Sequence, residues 1–283
     1  MPGAILFAPH LGAIMTSADP EYDDAAIRFL EVVWGPGYLS PGGPDEVERV
    51  LAGLAMKGKA GVDLGCGSGG ITLHVARHLG LASMVGFDVE RPVIAAAAAR
   101  AATERMADRV RFIQAPPGPL PFADASFDLA FSKDALIHVA DKEALFAEIF
   151  RILRPGGSFA ASDWLIGHDG PPSPDMAAYI RAEGLSFGMA SARRYAAAMT
   201  AAGFVDVTTK SRNGWYLEQA RIELARLQDG PLRDRAVAAV GQAYVAKNIK
   251  TWTAMLKVLA TGEHCPTHLR ARKPEQVAVQ ASA

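Results

Sequence analysis

The chain has 283 residues, of which 50% are hydrophobic and 21% are charged, and its mean hydropathy is +0.11. This composition excludes a wholly disordered or fibrous protein, and the length fits either one large α/β domain or one domain with an inserted or appended cap. The formal net charge of −1 gives no overall field that would favour nucleic acid or an anionic membrane, so neither partner is predicted.

The two cysteines, Cys66 and Cys265, imply no disulfide framework, and a cytoplasmic location is therefore predicted. Residues 1–18 lack the basic start of a signal peptide, and we interpret them as a partly ordered arm. No apolar run reaches the length of roughly 20 residues that spans a bilayer, so membrane insertion is not expected. The sequence does not indicate the oligomeric state.

Four regions are predicted along the chain. Residues 1–45 form an N-terminal lid, in which a helix over 21–33 precedes the loop WGPGYLSPGGP. Residues 46–212 form the core, with a cap segment at about 170–200. Residues 213–273 form a C-terminal helical segment, and 274–283 form a tail.

Short apolar runs alternate with helical stretches through the core. Strands are predicted over 60–64, 82–89, 110–115, 127–132, 158–165 and 204–212, and a helix is expected to follow the fourth directly. This order predicts an α/β fold with a doubly wound, Rossmann-like sheet. Ligands on such sheets bind beyond the carboxyl ends of the strands. The polar residues expected there are Asp63, Asp88, Ser132, Asp134 and Asp163.

The string GCGSGG follows the first strand and opens a helix, which is typical of a nucleotide-cofactor loop. Gly65 and Gly67 allow a tight turn close to a ligand, and Asp88 at the end of the next strand can accept hydrogen bonds from ribose hydroxyls. These features fit either NAD or an adenosyl group. Asp63, two residues before the first glycine, favours a ligand with a cationic ammonium over a pyrophosphate.

The strings VDLGCGSGG, GFDVE, LPFADASFDLAFSKDALIHV and LRPGGSFAASDW together resemble the class I S-adenosylmethionine-dependent methyltransferases. The resemblance implies a seven-stranded, mostly parallel sheet with one antiparallel strand, and S-adenosyl-L-methionine as cofactor. The cofactor contacts that we assign are Tyr38, Ser40, Asp63, Gly65, Gly67, Asp88, Val89, Gln114, Ser132 and Asp134. For Asp134, a role as a helix N-cap remains an alternative.

Two segments, EYDDAAIRFLEVVWGPGYLSPGG and FSKDALIHV, are similar to the phosphoethanolamine (phosphobase) N-methyltransferases. This resemblance implies that Tyr22 and His138 form a catalytic pair and that a small amine is methylated. A protonated amine has no lone pair, and an imidazole can accept its proton while a phenol orients the imidazole. Ordinary packing is the alternative interpretation of both residues.

The residues expected to bind the methyl acceptor differ from the pattern of that family, because the stretch Ile180-Arg181-Ala182-Glu183 has an acid where a base is expected. Trp164 stands where we expect a tyrosine. We assign Trp164, Tyr179 and Trp215 to substrate binding, and with Trp252 they are candidates for an aromatic box around an ammonium or sulfonium. Packing is the alternative for each of them.

No metal site is predicted. His74 and His78 are four residues apart on one helix, but the sequence shows no third ligand for them. The competing functions are S-methylation of a small thiol or thioether, an NAD-dependent oxidoreductase, and a cofactor-binding protein that has lost catalysis.

Overall fold

The structure is a computed structural model, and it describes residues 22–185 and 187–275. The strands are β1 Ala60–Leu64, β2 Ser83–Asp88, β3 Val110–Gln114, β4 Phe127–Lys133, β5 Leu153–Ile166, β6 Val205–Ser211 and β7 His264–Arg272. The helices are α1 Asp24–Trp34, α2 Gly43–Leu51, α3 Gly70–His78, α4 Arg91–Thr103, α5 Lys142–Ile152, α6 Pro174–Glu183, α7 Ala192–Ala201, α8 Asn213–Gln228, α9 Pro231–Val240 and α10 Gln242–Ala260. A short 3₁₀ helix covers Leu136–His138.

The strands form one seven-stranded sheet in the order β3-β2-β1-β4-β5-β7-β6. β1 to β5 pair in parallel with their neighbours, whereas β7 is antiparallel to both β5 and β6. The predicted fold, a Rossmann-like sheet with one antiparallel strand, is confirmed. The order reverses next to β1, so the carboxyl ends of β1 and β4 flank the crevice where such sheets bind ligands.

The prediction of a helical segment over 213–273 is wrong at its end, because α8, α9 and α10 are followed by β7. β7 lies between β5 and β6, and residues on both of its faces are buried, so the strand lacks a regular polar–apolar alternation. β5 also begins earlier than predicted. Leu153 pairs with Phe127 and Ser158 with Leu129, so a bulge in β5 accommodates residues of the string PGG at 155–157.

Two apolar cores cover the two faces of the sheet, and a third holds the helical cap. The third core joins α1, α6, α8, α9 and α10 through residues such as Phe29, Tyr179 and Trp252. α7, which falls at the end of the predicted cap segment, instead packs Tyr195 and Met199 into the sheet core. The cap therefore consists mainly of α6 and α8–α10, with α1 packed against it.

Asp23 fixes the start of α1, because its side chain accepts a hydrogen bond of 2.7 Å from the backbone N–H of Ala26. The loop after α1 then packs against the glycine-rich turn. The Gly70 N–H donates to the Gly37 carbonyl at 3.1 Å, and a Cβ on Gly37 would lie 2.5 Å from the Cα of Gly70. The predicted lid is thus joined to the core at the cofactor loop.

A buried carboxylate ties α2 to the last elements of the chain. Glu46 accepts hydrogen bonds from Arg212 at 2.9 and 2.7 Å, and the Nε2 atom of His268 lies 2.7 Å from Glu46 Oε1. Burial acts to raise the pKa of Glu46, but the hydrogen bonds from His268 and Arg212 outweigh it and lower the pKa to about 2.

Replacing Glu46 with Gln is expected to lower the free energy of unfolding by about 3 kcal/mol, because it leaves Arg212 and His268 without their anion. Because the folded pKa is depressed, the stabilisation is complete above the unfolded pKa of a glutamate. It is lost as the pH falls toward about 2. Urea denaturation of the unmodified protein and of Glu46→Gln at pH 7 and pH 3 measures the difference in their free energy of unfolding and how much of it is lost at low pH.

Glu218→Gln is the matched control. Its carboxylate is exposed and lies 3.7 Å from Arg221, so the change should stay within about 0.5 kcal/mol. A Glu46→Gln protein as stable as this control at pH 7 would contradict the stabilising role of the buried carboxylate.

Within the described residues, no helix has both the length and the apolar character needed to cross a bilayer.

Candidate active site

The glycine-rich turn after β1 needs glycine for two separate reasons. Gly65, Gly67 and Gly69 have φ angles of +77°, +50° and +85°, which L-residues with a side chain adopt rarely. A Cβ on Gly65 would lie 2.1 Å from the Cβ of Ala135, and one on Gly69 would lie 2.7 Å from the Cβ of Ala97. The turn is therefore in close contact with the loop after β4 and with α4.

Two carboxylates stand at the carboxyl ends of β1 and β2, that of Asp63 buried and that of Asp88 half-buried. Asp88 accepts hydrogen bonds from the backbone N–H groups of Gly67 at 2.9 Å and Glu90 at 3.0 Å. Asp63 accepts one from the Thr72 hydroxyl at 2.7 Å. Burial raises the pKa of Asp63 to about 7, and the charge of Asp88 acts in the same direction. A cationic ligand beside these acids would relieve both effects.

The other predicted cofactor residues differ in what their polar groups do. The Gln114 amide donates to the Val89 carbonyl at 3.2 Å, and the buried Ser132 hydroxyl donates to the Leu64 carbonyl at 2.6 Å. Ser132 therefore ties β4 to β1. Tyr38 packs against the core on the α3 side, where burial raises its pKa to about 12.

One pocket, open to solvent at its mouth, reaches the glycine-rich turn through Leu39, which lines the pocket and whose Cδ1 would lie 3.0 Å from a Cβ on Gly67. α1, the loop at Ser40, the residues after β4, the end of α6, and α8 and α10 form its walls. Of the predicted site residues it brings together Tyr22, Ser40, Asp134, His138, Trp164 and Tyr179. Trp252 from the proposed aromatic box also lines it.

Trp215 is not among the residues that line this pocket, so its assignment to substrate binding is not supported by the geometry. Its ring lies 4.9 Å from the Arg212 guanidinium. The next residue on α8, Tyr216, is buried and lines the pocket instead. Neighbouring residues of an α-helix point in directions about 100° apart, and the amphipathic pattern of α8 is too weak to show which of the two faces inward.

Sequence reasoning missed a buried ion pair beside the pocket. Lys133 is buried, and its Nζ lies 2.5 Å from Asp134 Oδ2, 3.1 Å from Ser40 Oγ and 3.3 Å from Tyr216 Oη. Asp134 has a φ of +59°, and its backbone N–H donates to the Ser162 carbonyl at 2.7 Å. A lysine at the end of an otherwise apolar strand was the signal available in the sequence.

His138 sits on the 3₁₀ helix, where we predicted that β4 would run directly into a longer helix. A buried network holds this turn. Asp163 Oδ1 accepts the Ile137 N–H at 3.2 Å, and the Lys142 ammonium donates to the carbonyls of Leu136 at 2.7 Å and Val139 at 2.5 Å. The Tyr195 hydroxyl donates to Asp163 Oδ2 at 2.5 Å. These contacts fix the backbone on both sides of His138.

The histidines that we discounted as metal ligands gain a third group in the structure. Glu48 of α2 places Oε1 3.2 Å from His74 Nε2 and 3.4 Å from His78 Nδ1. The three ligand atoms lie within 4.8 Å of one another. The sequence spacing could not show Glu48, because α2 and α3 meet only in the fold. None of the three lines the pocket.

Residues 62–161 match the family model described as a methyltransferase domain. A phosphoethanolamine N-methyltransferase of Triticum aestivum is 30% identical over 244 residues, which cover 86% of this chain and 47% of that protein. Phosphoethanolamine N-methyltransferase 2 of Caenorhabditis elegans is 27% identical over 275 residues, which cover 95% of this chain and 61% of that protein. The chain spans about half the length of the curated relatives it matches.

Solved structures show the same likeness. Phosphoethanolamine N-methyltransferase 2 of Haemonchus contortus, in complex with phosphomonomethylethanolamine and S-adenosylhomocysteine, has a TM-score of 0.82 and 26% identity. The match covers 90% of this chain and 58% of that chain. A putative sarcosine dimethylglycine methyltransferase from Galdieria sulphuraria has a TM-score of 0.77 at 21% identity, covering 90% and 100% of the two chains. The second likeness concerns the fold alone.

Proposed function

We propose that this protein, a class I methyltransferase by its domain and fold that resembles the phosphoethanolamine N-methyltransferases, methylates the nitrogen of a small amine. The proposed methyl donor is S-adenosyl-L-methionine. The observation that carries the proposal is the pocket in which Tyr22, Asp134 and His138 meet, directly beside the glycine-rich turn.

The residues of the crevice fit this donor. S-adenosyl-L-methionine supplies an electrophilic methyl carbon on a sulfonium, and it carries an ammonium and a ribose. We assign the ammonium to the surroundings of Asp63, Gly65 and Gly67, because a buried acid beside a glycine turn favours a cation. Asp88 is assigned to the ribose hydroxyls, since each carboxylate oxygen that binds a backbone N–H retains a second lone pair. Val89 and Gln114 are assigned to the adenine edge.

In the proposed reaction, His138 accepts a proton from the protonated amine and frees the nitrogen lone pair. The nitrogen then forms the new bond to the methyl carbon as the bond from that carbon to sulfur breaks, and sulfur keeps the electron pair. Tyr22 orients the imidazole, and Asp134, held by the buried Lys133, provides negative charge near the incoming ammonium. Because hydrogen bonds fix the backbone on both sides of His138, the base is already positioned before the acceptor binds.

The alternatives are separated by binding and turnover. Calorimetry is expected to show binding of S-adenosylhomocysteine and none of NAD. Release of S-adenosylhomocysteine is then measured with a panel of small amines, phosphobases and thiols, and the expected result is turnover with amines. Turnover with thiols alone would overturn N-methylation, and cofactor binding without any turnover would indicate a protein that has lost catalysis.

We place the protein in the cytoplasm, because Cys66 and Cys265 are both free thiols in the structure and a reducing compartment suits them.

A further inference from the structure

Two buried polar atoms in the walls of the pocket, Glu183 Oε2 and His264 Nε2, have no hydrogen-bond partner. A third such atom there, Trp34 Nε1, is a donor whose neighbour is the Glu223 carboxylate. A buried polar atom without a partner is costly, and such atoms in a cavity indicate a ligand with complementary groups. Which groups would be complementary depends on whether the two atoms accept or donate.

His264 presents an acceptor. Its Nδ1 lies 3.3 Å from the Leu165 carbonyl oxygen, and since a carbonyl only accepts, Nδ1 carries the hydrogen. Burial lowers the pKa of His264 to about 3, so the ring is neutral and Nε2 keeps its lone pair. The ring stacks on Trp164 with a centroid separation of 4.7 Å and lies 5.2 Å from the Tyr179 ring.

Glu183 presents a second acceptor, and an ammonium beside it would favour the charged carboxylate over the protonated acid. It is the last residue of α6, where the helix carries a partial negative charge. Burial raises the pKa of Glu183 to about 7, and the charge of the exposed Lys247 only partly opposes this effect. Tyr179 is one helical turn earlier on α6, so Glu183 lies on the same helix face as the ring beside His264.

The charged residues that line the pocket also favour a cationic ligand over an anionic one. Asp134, Glu183 and Glu223 line it, whereas Lys247 is the single lysine or arginine among the described lining residues. Asp134 is already paired with Lys133, and burial raises the pKa of Glu223 to about 7. A phosphate would find unpartnered acceptors and carboxylates here, whereas an ammonium could donate to the acceptors and lie against aromatic rings.

Glu183 and His264 belong to other elements than the proposed base. Glu183 ends α6 and His264 begins β7, whereas His138 is on the 3₁₀ helix after β4. The Phe187 ring contacts both sides, with its centroid 5.8 Å from that of His138 and 6.4 Å from that of Tyr179. We assign the group bound by Glu183 and His264 to the end of the acceptor that does not react.

We propose that Glu183 and His264, flanked by Trp164 and Tyr179, bind a second ammonium group of the acceptor, so that the preferred substrate class is a phosphate-free diamine. This proposal rests on the proposed N-methylation and specifies its acceptor. The amine at the His138 end is methylated, and the distal ammonium stays protonated and is held by the two acceptors.

The test compares 1,3-diaminopropane, 3-aminopropan-1-ol and phosphoethanolamine, whose distal groups are cationic, neutral and anionic. For the unmodified enzyme, kcat/KM for the diamine is expected to exceed that for the amino alcohol by about tenfold or more. In Glu183→Gln this preference should disappear through a rise in KM for the diamine, while kcat changes little. Glu183→Asp should restore part of the preference, since it keeps the charge.

Asp175→Asn is the matched control, because it removes an exposed acid from the same helix outside the pocket and should leave the preference unchanged. Higher kcat/KM for phosphoethanolamine than for the diamine would overturn the proposal. An unchanged diamine preference in Glu183→Gln would also overturn it.

A binding measurement separates this proposal from the proposed function. Calorimetric titration of 1,3-diaminopropane into enzyme loaded with S-adenosylhomocysteine should show binding that Glu183→Gln weakens by about tenfold or more. Such binding without turnover of any amine would support the ammonium site and refute N-methylation. Turnover of amines with no effect of Glu183→Gln on diamine binding would refute the ammonium site alone.

Discussion

Replacing His138 with alanine is expected to lower kcat for amine methylation by about 10²- to 10⁴-fold, the usual contribution of a positioned general base. The amine reaches the pocket protonated, and without an imidazole near it the nitrogen has no acceptor for its proton. Asp134 does not replace it, because its carboxylate is engaged with Lys133, and the other two acids of the pocket, Glu183 and Glu223, are on different walls, in α6 and α8. The measurement is the rate of S-adenosylhomocysteine release at saturating donor and acceptor.

The same variant should bind S-adenosylhomocysteine normally, since none of the assigned cofactor contacts involves His138. His168→Ala is the matched control. It removes an exposed histidine that lies 3.1 Å from Glu263 and does not line the pocket, and kcat should stay within about twofold. Added imidazole should restore part of the rate in His138→Ala. A variant that keeps most of its kcat with amines would show that His138 packs in the wall and is not the base.

The two residues proposed as catalytic, Tyr22 and His138, illustrate what the sequence could and could not predict. Strand–turn–helix alternation and the glycine turn are local features, so β1 to β5 and the position of the crevice could be predicted from periodicity and turn chemistry. Placing Tyr22 and His138 in one pocket relied on resemblance, because they lie far apart in the chain. Residues 1–21, which include the predicted arm over 1–18, lie outside the described residues, so the predicted lid is described only from Tyr22 onward.

The features that sequence reasoning missed depend on tertiary contacts. β7 is strand because β5 and β6 pair with it on either side, and its own residues carry only a weak pattern. The ammonium of the buried Lys133 is surrounded by Asp134, the next residue, and by Ser40 and Tyr216, which come from distant parts of the chain. Glu183 and His264, whose acceptor atoms have no hydrogen-bond partner, are likewise brought to one pocket only by tertiary contacts. The residues on which the proposed specificity rests are therefore ones that only the fold brings together.

Gly65→Ala is expected to weaken binding of S-adenosylhomocysteine by about 100-fold or more, because a new Cβ would lie 2.1 Å from the Cβ of Ala135. The turn or the loop after β4 has to move, and a displacement of roughly 1 Å at a site of this kind costs about 10²-fold. Ala135 separates Asp134 from the 3₁₀ helix with His138, so the same displacement should also lower kcat. Calorimetry with S-adenosylhomocysteine and single-turnover rates measure the two effects.

The Gly58→Ala variant is the matched control that separates the effect of the steric clash in Gly65→Ala from the effect of backbone strain. Gly58 has a φ of +76°, almost the same as the +77° of Gly65, but a Cβ there would have no heavy atom within 4 Å. Both variants should therefore lose about 1–2 kcal/mol of stability from the left-handed conformation, and only Gly65→Ala should lose cofactor affinity. If the two variants bind S-adenosylhomocysteine equally well, the glycine-rich turn can shift to accommodate the new Cβ without weakening cofactor binding. The contact between Gly65 and Ala135 would then not couple the cofactor site to the acceptor pocket.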